Sequence, residues 1–213
     1  MPAPYRLAIF DFDGTLADSF ALFFEAYNEL ALRHGFRQVT VEEARRLRSL
    51  HARDIMREVG MPAWKLPIVS AEYIGMMRAR RGEVRPFAGA REVLEKLRDS
   101  SVAVAVVSSN AEDNVRAILG DAAAAHVSHY ACGMSIFGKR SHLRKLLRVA
   151  GIDSAHAIYI ADQAVDFEAA RAEGIAFGAV TWGFGDAAHL GQLHPEHVFT
   201  NMEDLAATLR RGA

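Results

Sequence analysis

Three short runs of uninterrupted apolar residues each end in polar, chemically capable side chains. Leu7-Ala-Ile-Phe10 leads into Asp11-Phe-Asp-Gly-Thr15, Val102-Ala-Val-Ala-Val-Val107 into Ser108-Ser-Asn110, and Ala157-Ile-Tyr-Ile-Ala161 into Asp162. A fourth run spans Ile175 to Thr181. Apolar strands without alternation are what a sheet covered on both faces requires, which predicts a parallel sheet inside helical layers. The helical pattern between the runs falls at 88–99, 111–119, 139–150 and 165–173, with Gly120, Gly151 and Gly174 where C-terminal caps belong. Ser109 and Glu112 are spaced as a capping box for the second of these helices.

Between the first strand and about Pro86 the pattern changes to consecutive helical segments with no convincing strand. A helix over 17–34 ends at Gly35, Thr40 and Glu43 box the next, Gly60 ends a third, and Pro67 opens a fourth that runs to about Gly82. The fold class predicted is therefore α/β, a Rossmann-like doubly wound parallel sheet carrying an inserted α-helical domain. The insert covers 18–85 and the α/β domain covers 1–17 and 86–213. Asp18 to Phe20 and Arg85 to Ala88 are the two crossings, and so the expected hinges.

Composition narrows the function by exclusion. A chain of 213 residues, 51% hydrophobic and 24% charged, can bury a full core, and its formal net charge of −1 supplies no field to attract nucleic acid or an anionic membrane. Cys132 is the single cysteine, so no disulfide forms within the chain, and the nine histidines show no metal-ligand spacing. Cys132 is expected to be a small buried residue, and His126 and His129 to lie at the surface or in a loop. The apolar run near the N-terminus is too short for a signal-peptide core or a span, which makes the cytoplasm the expected location.

Ligands of a parallel sheet bind beyond the carboxyl ends of its strands. Asp11 and Asp13, Ser108, Lys139 after Gly138, and Asp162 with Asp166 all follow such ends and should meet in one crevice. Clustered carboxylates raise one another's pKa unless a cation sits among them, and oxygen-only donors favour Mg²⁺. Asp11 and Asp13 have no structural excuse at the end of a buried strand.

Asp11-Phe-Asp-Gly-Thr-Leu16, then Ser108, Lys139 and Asp162-x-x-x-Asp166, in that order, resemble the four motifs of the haloacid-dehalogenase superfamily, in its branch with a helical cap inserted after the first strand. The Asp-x-Asp-Gly-Thr string alone would arise by chance in roughly one chain of this length in several hundred. Overall the chain is similar to the phosphoglycolate phosphatase-like group. That resemblance implies a Mg²⁺-dependent phosphatase acting on a small phosphorylated metabolite, phosphoglycolate or a sugar phosphate. Asp11 would be the nucleophile and Asp13 the general acid and base. Ser108, Ser109, Thr15 and Lys139 would hold the phosphoryl group, and Asp11, Asp13, Asp162 and Asp166 the metal. In the insert, Arg48, His51 and Arg53 would meet a substrate anion, within a basic stretch that a solvated helix face also explains. Two positions depart from the family pattern, Ala161 where Gly is frequent and Gln163 where an acid is frequent.

Dehalogenation is disfavoured by Asp13, because a halide needs no protonation on leaving whereas an alkoxide does. A β-phosphoglucomutase-like phosphomutase and a non-catalytic phospho-ligand-binding protein are the alternatives. A monomer or homodimer is expected.

Overall fold

A computed structural model describes residues 5–47, 50, 52–133 and 138–210. In chain order the elements are β1 (Leu7–Phe10), β2 (Ala17–Asp18), α1 (Phe20–His34), α2 (Val41–Leu47), α3 (Ala52–Glu58), α4 (Leu66–Ala79), β3 (Arg85–Pro86), α5 (Ala90–Asp99), β4 (Ala103–Val107), α6 (Glu112–Leu119), α7 (Asp121–Ala124) and β5 (His129–Ala131). They continue with α8 (Lys139–Ala150), β6 (Ala157–Ala161), α9 (Ala164–Ala172), β7 (Ala176–Val180), α10 (Ala187–Gln192), β8 (His197–Phe199) and α11 (Met202–Arg210). No helix among the described residues is long and apolar enough to cross a membrane.

Six strands form one parallel sheet in the order β5-β4-β1-β6-β7-β8. The chain builds outward from β1 in one direction, then returns to its other side, so β1 lies between β4 and β6 at the switch in strand order. Loops after β1, β4 and β6 diverge there and leave a crevice at their carboxyl ends. Side chains of β1 alternate between layers: Ala8 and Phe10 enter one apolar cluster with α5, α6 and α11, while Leu7 and Ile9 enter another with α8, α9 and α10. Burial on both faces is why the central strands read as continuous apolar runs.

Helices α1 to α4 share a separate cluster of Leu30, Ala31, Phe36, Val39, Ala44, Leu47, Val59 and Val69. The Thr40–Glu43 box forms in both directions, with Thr40 N–H donating to Glu43 Oε2 (2.9 Å) and Glu43 N–H to Thr40 Oγ1 (3.2 Å). Leu22, Met77 and Val84 pack into the sheet's cluster instead and root the helical segment on the core.

Four expectations need correction. The helix expected over 17–34 begins at Phe20, because Ala17 and Asp18 pair antiparallel with Pro86 and Arg85. This two-stranded ribbon sits where no strand was expected, and it satisfies backbone groups at the point where both crossings run side by side. Edge strands β5 and β8 extend the expected four-strand sheet to six. His129 accordingly lies in a strand, half-buried. Ser109 does not cap α6: Asn110 Oδ1 accepts from Ala111 N–H (2.9 Å) and Asn114 Nδ2 (3.1 Å), so the asparagine ties off the turn.

Candidate active site

Phe10 ends β1 in the middle of the sheet, and the chain then turns within six residues. Leu16 and Ala17 N–H both donate to Phe12 O (2.9 Å each), and Gly14 N–H donates to Ala17 O (2.9 Å). Gly14 makes the turn with φ +89°. A Cβ there would collide with Asp162 Oδ2 and lie 2.9 Å from the Phe184 ring, so close approach as well as backbone sign requires glycine.

Asp11, Asp162 and Asp166, delivered by the ends of β1 and β6 and the first turn of α9, are all buried, and one carboxylate oxygen from each lies within 4.8 Å of the others. Lys139, the first residue of α8, places Nζ 2.5 Å from Asp166 Oδ1 and 3.4 Å from Asp11 Oδ2. Asp166 Oδ1 also accepts from the Tyr159 hydroxyl at 2.8 Å, while its Oδ2 is buried without a hydrogen-bond partner among the described residues. Phe184 N–H (2.8 Å) and Gly185 N–H (3.1 Å) donate to Asp162 Oδ2. Asp13 is half-buried and accepts from Ser19 Oγ at 2.6 Å.

Burial pushes the Asp11 carboxyl up to about 8, with Lys139 opposing and Asp166, Asp162 and Asp13 adding to the rise. Burial also works against the charge on Lys139, yet Asp11 and Asp166 outweigh it and hold the ammonium above its ordinary range. Burial first, and then the neighbouring acids, keep the Tyr159 phenol protonated far above its usual range, so it remains a donor.

Three buried carboxylates facing one ammonium leave negative charge uncompensated. Oxygen donors alone, with an orphaned Asp166 oxygen pointing among them, suit a hard divalent cation such as Mg²⁺. Asp11, Asp162 and Asp166 would hold it.

Ser108 and Ser109 follow β4, and Thr15 lies in the turn after β1. Ser108 is buried after β4, and its Oγ accepts from Asn110 N–H (3.0 Å). Thr15 is fully buried, and its hydroxyl has no hydrogen-bond partner among the described residues. Ser109 is half-buried beside Ser108. Arg48 and His51 lie outside the described residues. Arg53 is exposed on α3 and borders a 420 Å³ hollow whose other walls are Met56, Arg57, Met61, Ala63 and Leu66, all within the helical segment. Arg45, on α2, lies with its guanidinium 5.7 Å from the centroid of the Phe20 ring. Cys132 is half-buried, with its thiol pushed up to about 12, chiefly by burial, which suits an inert residue better than a nucleophile.

The family profile described as Haloacid dehalogenase-like hydrolase matches residues 8–180. The chain belongs to that family. A phosphoglycolate phosphatase from Synechococcus elongatus is 31% identical over 92% of this chain and 93% of its own length. Another from Agrobacterium fabrum is 27% identical over 95% of this chain and 91% of its own. Among solved structures, a haloacid dehalogenase-like family hydrolase from Streptococcus pneumoniae superposes with a TM-score of 0.82 at 20% identity, covering 96% of this chain and 98% of that one.

In this haloacid dehalogenase-like hydrolase the departure at Ala161 is accommodated simply: the residue closes β6, fully buried, and positive φ is confined to other positions. Gln163 is the N-cap residue of α9, and its carbonyl accepts from Asp166 N–H (3.1 Å).

Ser19, Tyr159 and the segment Trp182–Gly185 escaped sequence reasoning. A lone tyrosine in an otherwise aliphatic strand, three residues before Asp162, and a Gly-x-Gly directly after an apolar run were available as pointers. Ser19 had none. Replacing Tyr159 by Phe is expected to keep the fold and cost about 1.5–3 kcal/mol, the usual worth of a hydrogen bond to a charged group. Urea unfolding of the two proteins measures it, and equal midpoints would show that the hydroxyl contributes nothing.

Proposed function

We propose that this chain is a Mg²⁺-dependent phosphoric monoester hydrolase acting on a small phosphorylated acid or sugar of the phosphoglycolate class. The observation that carries the reading is Asp11 itself. It is a buried carboxylate at the head of the central strand, with Lys139 3.4 Å away and two further acids around it.

The residues act in sequence. Lys139, Ser108, Thr15 and the Ser109 region hold the phosphoryl oxygens, and Asp11 attacks phosphorus. The bond from phosphorus to the leaving oxygen breaks, and Asp13 donates the proton that oxygen needs. Asp13 then takes a proton from water as the water attacks the phospho-aspartyl group, which releases inorganic phosphate and restores Asp11. Ser19 holds the Asp13 carboxylate between these steps. Bound Mg²⁺ would supply charge stabilisation to the phosphoryl oxygens from Asp11, the Asp13 carbonyl, Asp162 and Asp166.

Residues 18–85 act in this reading as a cap over a core of 1–17 and 86–213, with Arg48, His51 and Arg53 as its contacts to a substrate anion. The substrate class is supported by the names of the two relatives and by that basic stretch. A cytoplasmic location is supported by the single cysteine.

Phosphate release from p-nitrophenyl phosphate and from a metabolite panel including 2-phosphoglycolate tests the reading. Release is expected with Mg²⁺, to disappear with EDTA and to return on Mg²⁺ readdition, with 2-phosphoglycolate among the best substrates. Undiminished release in EDTA would remove the metal from the mechanism, and no release from any phosphoester would remove the phosphatase.

A further inference from the structure

The segment Trp182-Gly-Phe-Gly185 follows β7, outside the four motifs, yet it touches the site and the hinge at once. Two of its amides, Phe184 N–H and Gly185 N–H, converge on Asp162 Oδ2 at 2.8 and 3.1 Å. The Trp182 indole donates to Thr15 O at 3.0 Å. Both glycines are required by contact: a Cβ on Gly183 would strike Asp162 Cβ and lie 2.5 Å from Gly14 O, and one on Gly185 would strike Asp162 O. The segment is thus pressed against the acid and the turn that follows β1.

The ring of Phe184 lies beside Gly14 and also reaches both crossings. Its centroid is 5.0 Å from that of Phe20, the first residue of α1, and 6.1 Å from that of Phe87, just after β3. Phe87 N–H donates to Leu16 O at 2.9 Å, which places the second crossing against the first. One residue therefore holds a metal-site carboxylate with its amide and both crossings with its side chain.

We propose that Phe184 is a positioning residue that couples the hinge of the helical cap to the orientation of Asp162. A shift of Phe20 or Phe87 displaces the Phe184 ring. The ring is one residue's length from the amides that orient the carboxylate, and interdigitated side chains transmit such displacements. The inference rests on the reading of Asp162 as a cation ligand.

Phe20 supplies the decisive test, because its ring contacts Phe184 and belongs to the cap side. Mn²⁺ binding to the full chain, read from the EPR signal of free Mn²⁺, is compared for wild type, Phe20→Ala, Phe184→Ala and the double variant. Phe184→Ala is expected to weaken binding roughly tenfold, the lower end for residues that support metal ligands. Phe20→Ala should weaken it several-fold, and the double variant should be no worse than Phe184→Ala, the non-additivity of a shared path. Tyr27→Ala, elsewhere on α1, should leave the affinity unchanged. Phe184→Leu replaces Phe184→Ala if the latter does not fold.

Wild-type affinity in Phe20→Ala, or strict additivity, overturns the coupling while leaving the metal site standing. Weakening by Tyr27→Ala equal to that by Phe20→Ala overturns it too, since general loosening of the cap would then suffice. Failure of the wild type to bind Mn²⁺ overturns the metal reading and the inference together.

Discussion

Asp11→Asn is expected to lower phosphate release by at least about a thousandfold while leaving the fold intact, because an amide cannot form the covalent intermediate of the proposed mechanism. Turnover of p-nitrophenyl phosphate by wild type and variant measures it, and retention of full activity would identify another nucleophile. The same substitution has a stability signature of opposite sign. In the cation-free protein the folded state holds the Asp11 proton up to about 8, whereas its ordinary value is 3.8. A folded state that binds more protons than the unfolded chain loses stability as pH rises between those limits. Cation-free wild type should therefore weaken from pH 4 towards pH 8, by on the order of a few kcal/mol. Asp11→Asn should flatten that slope and be the more stable protein at pH 8. Urea midpoints across this range with EDTA present decide the matter, and parallel slopes would show that Asp11 is charged without a cation.

Lys139→Ala should be the most damaging single change to the folded state. The ammonium is only 15% exposed and lies between two carboxylates that are nearly or fully buried. Removing one partner of such a set leaves uncompensated charge in a poorly solvated place, at a cost of about 3–5 kcal/mol. Activity should fall as well, since the proposed mechanism loses the cation that holds the transferring group. The two losses separate by condition. With Lys139 gone, the folded-state value of Asp11 moves further up, because the cation that opposes its rise is lost, so the stability deficit should shrink at pH 4, close to the ordinary carboxyl value of 3.8. Added Mg²⁺ should recover part of the deficit at pH 7 without restoring turnover. Denaturation with and without Mg²⁺ at the two pH values tests this, and a deficit independent of pH would mean that lost packing, not charge, is what the variant suffers.

These effects centre on residues that stood out in the chain before any geometry was known. Asp11, Asp13, Ser108, Lys139, Asp162 and Asp166 each follow an apolar strand or open a helix, and folding brings one carboxylate oxygen from each of Asp11, Asp162 and Asp166 within 4.8 Å of the others, with Lys139 against Asp11 and Asp166. Asp13 and Ser108 are tied in by other partners, Ser19 and the Asn110 amide. The edge strands were harder to see. Strand β8, His197-Val-Phe199, mixes exposed and buried positions because only one flank is paired, and β5 is similarly half-exposed. The ribbon of β2 and β3 has only two residues per strand, held by pairing across 67 positions of chain, from Asp18 to Arg85, which no local pattern encodes.

Local sequence determined which residues could do chemistry and which segments were the four central strands and the helices between them, because continuous apolar runs, a box such as Thr40–Glu43 and an opening Lys139 depend on neighbours a few positions away. Tertiary structure alone decided how those groups are held. Tyr159 reaches Asp166 because a β-strand end and a helix start are folded together. Phe184 reaches Asp162 because a loop after β7 crosses to the end of β6 and meets both crossings of the helical segment. Such contacts are set by the closing of a sheet whose strands lie far apart in sequence, so the energy that specifies them belongs to the packed arrangement and to no segment of it.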